Sequence, residues 1–211
     1  MKKRWAAFAA IGVLAAGAVS WGAAANDVEE PAYAILQTAG NIEIRAYEPM
    51  IVAEAKVTGD RSTAMNRGFR IIADYIFGNN IASQEIAMTS PVTQQPASED
   101  IAMTAPVTQQ QTDGVWQVRF IMPSEYTMMT LPRPANSEVE IREIPARKFA
   151  AIRFSGRGGM ASLDARTKEL QTYLVEQGME TAGDATYAFY DAPWVPGPMR
   201  RNEVMIELLA E

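Results

Sequence analysis

Ile42-Glu43-Ile44-Arg45 through Val57-Thr58-Gly59 lines up without a gap, at an offset of 97 residues, with Val139-Glu140-Ile141-Arg142 through Phe154-Ser155-Gly156. Both copies predict two short strands around a turn, Glu48-Pro49 in one and Pro145-Ala146 in the other. Each copy leads into a helix. Near residues 62–78, Met65, Gly68, Phe69, Ile72 and Ile76 recur at three- and four-residue spacing and stop at Gly78-Asn79-Asn80. Near 160–177, Leu163, Thr167, Leu170 and Leu174 do the same and stop at Gly178. Two extended segments follow each helix: the Met-Thr-Pro arms and Trp116–Met122 in the first half, Tyr187–Tyr190 and Val204–Leu209 in the second. The offset is too long for a solenoid repeat. The pattern therefore predicts an α+β fold, a duplicated strand-strand-helix-strand-strand unit forming a twisted antiparallel β-barrel or curved sheet with two outer α-helices.

A shorter repeat lies inside the first half. Ile86-Ala87-Met88-Thr89-Ser90-Pro91-Val92 returns as Ile101-Ala102-Met103-Thr104-Ala105-Pro106-Val107. The chain has neither His nor Cys, which removes the commonest general base, the commonest metal ligand and the thiolate nucleophile. No Ser-x-x-Lys pair or Gly-x-Gly-x-x-Gly loop is present. The reading is accordingly of a binding protein and not an enzyme.

The 211 residues carry a formal charge of −6, and an acidic body repels a phosphate backbone, so no nucleic-acid partner is expected. The N-terminus reads as an export signal: Lys2-Lys3-Arg4, an uncharged Ala-rich stretch from Trp5 to Trp21, and Ala23-Ala24-Ala25 as a cleavage site. The expected organisation is a signal peptide at 1–25, a linker at 26–34 and one domain at 35–211, with internal halves at about 35–123 and 138–211. The expected location is the periplasm or the exterior. If the segment stays uncleaved, residues 5–21 instead anchor the chain in the inner membrane, facing the periplasm.

The doubled Ile-Ala-Met-Thr-(Ser/Ala)-Pro-Val arms, Phe120-Ile121-Met122-Pro123, and Tyr190-Asp191-Ala192-Pro193-Trp194 followed by Arg200-Arg201-Asn202-Glu203-Val204 together resemble the SOUL haem-binding protein family. The resemblance spans roughly Tyr33 to Leu209. It implies a twisted barrel with two outer helices and non-covalent binding of haem or a free porphyrin, a tetrapyrrole partner. The same architecture occurs in bacterial multidrug-effector domains that bind apolar cations. Some SOUL relatives are assigned an axial His, which this chain lacks; the mode left is an apolar groove beside the first helix.

A tetrapyrrole needs a flat apolar slot and cationic groups for its two propionates. The first helix offers Met65, Phe69, Ile72, Tyr75 and Ile76, with Arg61, Arg67 and Arg70 as propionate partners. The same apolar stripe also suits an ordinary helix laid on a sheet. The donors that remain for iron are Met thioethers such as Met88 and Met103, Tyr phenolates such as Tyr75 and Tyr190 and, less often, a Lys amine; the Met and Tyr residues each also have an everyday role in a core. Arg200-Arg201-Asn202-Glu203 reads as an anchor for the last strand, with an Arg paired to an acid such as Asp191 or Glu43, or as a propionate site. The alternative function is a periplasmic module of the same fold that binds other small molecules or a protein.

Overall fold

The computed structural model describes residues 28–82, 98–192 and 194–209. The export signal and the first Met-Thr-Pro arm lie outside the described residues. In chain order the elements are β1 (Tyr33–Ala39), β2 (Ile42–Tyr47), β3 (Met50–Thr58), α1 (Arg61–Ile76), β4 (Asn80–Ile81), β5 (Val107–Thr112) and β6 (Val115–Ile121). The second half holds β7 (Arg133–Pro134), β8 (Glu140–Ile144), β9 (Arg147–Ser155), α2 (Met160–Glu176), β10 (Thr181–Phe189) and β11 (Arg201–Leu208).

Nine strands form one antiparallel sheet in the order β1-β2-β9-β11-β10-β5-β6-β3-β8, while β4 and β7 make a separate small ribbon. Two short links decide its shape. Glu48-Pro49 joins β2, one strand in from one edge, to β3, one strand in from the other. In a flat sheet these strands would stand six spacings, about 29 Å, apart. Two linking residues reach only about 11 Å. The sheet must therefore curl until its edges approach, and Pro145-Ala146 imposes the same condition between β8 and β9. Leaving β1 aside, the order reads identically from either end when the two halves are exchanged, about an axis between β5 and β10. The α+β curved sheet with two helices is the fold the sequence pattern predicts.

Alternation on the strands divides the two faces. Ala53, Ala55 and Val57 of β3 and Trp116, Val118 and Phe120 of β6 meet Ala64, Ile71, Ile72, Tyr75 and Ile76 of α1 in one core. Ile42, Ile44, Ala150, Ile152, Phe154, Val204 and Ile206 meet Leu163, Leu170 and Leu174 of α2 in another. Asp60 starts α1 by accepting the Thr63 N–H at 3.1 Å, which satisfies one of the free amides of the first turn. Gly68 lets α1 close on β6, since a Cβ there would stand 2.6 Å from Val118 Cγ2.

Three segments differ from the sequence reading. β1 begins at Tyr33, ahead of the expected domain start, and the preceding chain is docked, with the Ala105 N–H bonded to the Glu29 carbonyl at 2.9 Å. The second Met-Thr-Pro arm becomes strand only at Val107, after Pro106, which has no N–H to give a ladder. β10 starts at Thr181, well before the expected Tyr187.

Candidate functional site

The proposed site residues on α1 separate into two groups. Ile72, Tyr75 and Ile76 are fully buried in the core between α1 and the sheet. The Tyr75 hydroxyl donates to the Pro132 carbonyl at 2.7 Å, and burial pushes its pKa up. Arg61, Met65 and Phe69, four residues apart, are half-buried along the edge of the same helix.

That edge borders the middle of the sheet. α1 packs on β3 and β6 and α2 on β9 and β11, so the central pair β5 and β10 runs between the helices. Tyr187 and Phe189 of β10 project there, half-buried, and Tyr187 touches both cores. The Arg61 guanidinium carbon stands 5.3 Å from the Phe189 ring centre and 5.9 Å from that of Tyr187. Arg61 Nε donates to Gln109 Oε1 at 3.1 Å, and the amide of the buried Gln109 reaches Met65 Sδ. Gly158, at φ +62°, also lies close to Phe189: a Cβ there would come within 2.7 Å of the ring.

Arg61 makes no ion pair among the described residues, and burial lowers its pKa. Arg67, by contrast, is paired with Glu138 at 2.7 Å, and Arg70 turns back to the Asn66 carbonyl. A half-buried guanidinium over an aromatic floor, with no carboxylate to neutralise it, suits an anionic group on a flat apolar body. Tyr187, Phe189 and Gln109 were not singled out from the sequence as site residues. Their alternation on the strand was visible, but their meeting with α1 depends on the pairing of β10 with β5 across the two halves.

The other Arg-rich candidate lies on the opposite, concave face and is internally satisfied. Glu203, fully buried, accepts from Arg45 at 2.7 Å, Arg201 at 3.0 Å and the Tyr190 hydroxyl at 2.7 Å. Burial alone would raise its pKa, but the hydrogen bonds and charges of Arg45 and Arg201 hold it below the usual carboxylate value. Arg201 also pairs with Glu30 at 2.9 Å, while Asp191 accepts the Arg201 backbone N–H. Arg201 therefore anchors the last strand with its side chain on Glu203 and Glu30 and its backbone on Asp191, while Glu43 pairs with Arg45. A second buried carboxylate on this face, Glu54, accepts from Arg119 at 2.6 Å.

The donors left for iron are few. Tyr75 and Tyr190 each spend their proton on a hydrogen bond, and burial pushes both pKa values up, away from the phenolate an iron would need. Met103 is exposed ahead of β5, and Met88 lies outside the described residues. Among the described residues no cluster of acidic side chains could hold a metal ion. Met65 is the soft donor on the half-buried edge of α1, beside Gln109.

The sequence profile described as SOUL heme-binding protein matches residues 28–207. The chain belongs to the SOUL haem-binding protein family. No curated protein sequence matches it. Among solved structures, the C-terminal domain of EcmrR is similar, with a TM-score of 0.55 at 11% identity, over 81% of this chain and 98% of that one. EcmrR in a DNA-bound transcription complex gives 0.55 at 10% identity, over 81% of this chain and 57% of that one. A protein described as a hydrolase from Listeria innocua gives 0.52 at 10% identity, over 80% and 92%. At such identities these similarities establish the SOUL chain's fold alone.

Proposed function

We propose that this SOUL-family protein is a non-enzymatic, exported binder of haem or free porphyrin, acting as a buffer or carrier. The macrocycle lies against Phe69, Met65, Tyr187 and Phe189 in the groove between α1 and the central strands, and Arg61 takes a propionate. The observation that carries this reading is Arg61 itself, half-buried over Phe189 with no acid beside it. The helix stripe does both of the jobs the sequence allowed: Ile72, Tyr75 and Ile76 hold α1 to the sheet, and the other edge serves the ligand.

Haem would supply an iron whose fifth ligand cannot be His or Cys in this chain. Binding then rests on burial of the porphyrin faces, at about 25 cal/mol per Å², less the cost of association. The experiment is a titration of the protein with haemin and with protoporphyrin, followed by absorption. Similar affinities, both lowered by Arg61→Ala, support the groove. An affinity for haemin a hundredfold higher, with a His-like spectrum or no response to Arg61→Ala, would remove it. Export is supported by the basic, apolar and small-residue segments at 1–25. Among the described residues no helix is long and apolar enough to cross a membrane.

A further inference from the structure

The Met-Thr-Pro repeat is wider than its core and strictly tandem. Ala82-Ser83-Gln84-Glu85-Ile86 to Gln94-Gln95-Pro96 is followed at once by Ala97-Ser98-Glu99-Asp100-Ile101 to Gln109-Gln110-Gln111. The copies differ only at Gln84/Glu99, Glu85/Asp100, Ser90/Ala105 and Pro96/Gln111. The described residues hold the second copy from Ser98 onward, and of the first copy only Ala82. The second copy fills a built seat. Ile101 is buried, with its N–H on the Ile76 carbonyl at 2.9 Å. The Thr104 hydroxyl donates to the Ile121 carbonyl, the Ala105 N–H donates to that of Glu29, and Gln109 is buried against Arg61 and Met65.

The first copy carries what this seat requires: Ile86 for Ile101, Thr89 for Thr104 and Gln94 for Gln109. The positions that differ are held mainly through the backbone. Asn80 binds the N–H of Glu99 at 3.0 Å and its carbonyl at 2.7 Å, and Asp100 bridges to Phe77. Gln84 also has an amide oxygen to take the Tyr126 hydroxyl in place of Glu99. Pro96 would fall at Gln111. Asp113 and Gly114, at φ +52° and +79°, make a two-residue turn closed by the pair Thr112 and Val115. Alternation from that pair leaves the Gln111 N–H pointing away from β6, and the pairing of β5 with β10 stops at Gln110. A proline there breaks no ladder bond.

Exchanging the copies moves one loop. The chain gives up an insertion ahead of β5 and gains one of equal length between β5 and β6, so loop closure costs nearly the same. What is lost is the tight Asp113-Gly114 turn, which makes the exchanged register the minor one. Thr58 pairs with Val115, so that turn stands beside the corner between β3 and α1 that carries Arg61. The exchange therefore rebuilds the contacts of Gln109 with Gln94 and brings residues 97–111 to the Arg61 end of the groove.

We infer that residues 82–96 and 97–111 are interchangeable occupants of one seat, and that the protein has a second register in which the first copy supplies the arm and central strand β5. The inference does not depend on the porphyrin reading. A double-mutant cycle in the full chain tests it. Ile86→Asp should leave thermal unfolding unchanged, and Ile101→Asp should lower the midpoint by only about 5 °C, because the first copy takes over. Both together should lower it by about 15 °C or more, since neither copy then fits. Cross-linking reads the register directly, because the chain has no cysteine of its own. Gln110 and Gln117 are directly paired, so Gln110→Cys with Gln117→Cys sets the reference yield of disulfide. Gln95→Cys with Gln117→Cys should reach a comparable yield once Ile101→Asp is added, and a smaller one without it. Ile101→Asp as damaging alone as the double variant, or no Gln95–Gln117 cross-link in its presence, would overturn the inference.

Discussion

Arg61 and Phe189 face each other across the gap between α1 and β10, with 5.3 Å from the guanidinium carbon to the ring centre. Each comes from a different half of the chain. The contact therefore exists only when the halves are in register, and it places the one unneutralised guanidinium of α1's inner edge over an aromatic floor. Arg61→Ala should weaken haemin and protoporphyrin alike, by about three- to tenfold, for loss of one charge-assisted interaction. Arg67→Ala, which breaks a solvent-facing pair with Glu138, should leave both affinities as they were. Absorption titration of the two variants reads the difference.

With no His or Cys to hold iron, haemin and metal-free protoporphyrin should bind within about tenfold of each other, a gap of roughly 1.4 kcal/mol. Phe69→Asp should weaken both by placing a charge among apolar faces. A large haemin preference abolished by Met65→Leu would instead identify the thioether as an iron ligand.

Gly68→Leu should destabilise the fold by several kcal/mol, and Gly68→Ala by about 1–3 kcal/mol, because Val118 already occupies the space a Cβ would need. Chemical denaturation gives the values. Recovery of the Gly68→Ala loss by Val118→Ala would show that this close approach is the cause.

The Glu203 carboxylate has a lowered pKa in the folded protein, so its stabilisation is fully present above the unfolded value near 4.5 and is lost as pH falls through the folded value. Stability should accordingly decline below about pH 4.5. Glu203→Gln should cost about 3–5 kcal/mol at neutral pH, since it leaves Arg45 and Arg201 without their shared anion. Its acid limb should also be shallower than that of the parent, a comparison read from melts across pH 3–7.

Cell fractionation tests the export reading. A species beginning near Asn26 in the periplasm is expected, and a full-length form resistant to extraction from membranes would replace secretion with anchoring.

The legible parts of this fold were those where pattern and punctuation agree. Gly59 and Gly156, at φ +116° and +123°, occupy matching turns at the ends of β3 and β9, as the 97-residue offset requires. The reading near 62–78 located α1 because its apolar stripe recurs at helical spacing and stops at Gly78. β1 escaped notice because its middle residues, Ala34 to Thr38, are all exposed, and a strand without a buried face leaves no alternation to find. The first half of β10 was hidden by Gly183 and Asp184 near a register shift. On α1 the six candidate residues span more than one face. Sequence spacing does not say which edge, Arg61–Met65–Phe69 or Ile72–Tyr75–Ile76, lies against the sheet.

The crossed links at Glu48-Pro49 and Pro145-Ala146 also govern when this protein can fold. β2 finds its inner neighbour only in β9, where Ile42 pairs with Ile152, and the chain's last strand must enter between β9 and β10. A ribosome that has released the first half alone has made the pairs β1-β2 and β5-β6-β3, but β2 still lacks β9, β5 lacks β10 and β3 lacks β8. The sheet therefore stays open until β11 has been made, and closing it depends on long-range pairings, the slow kind of assembly.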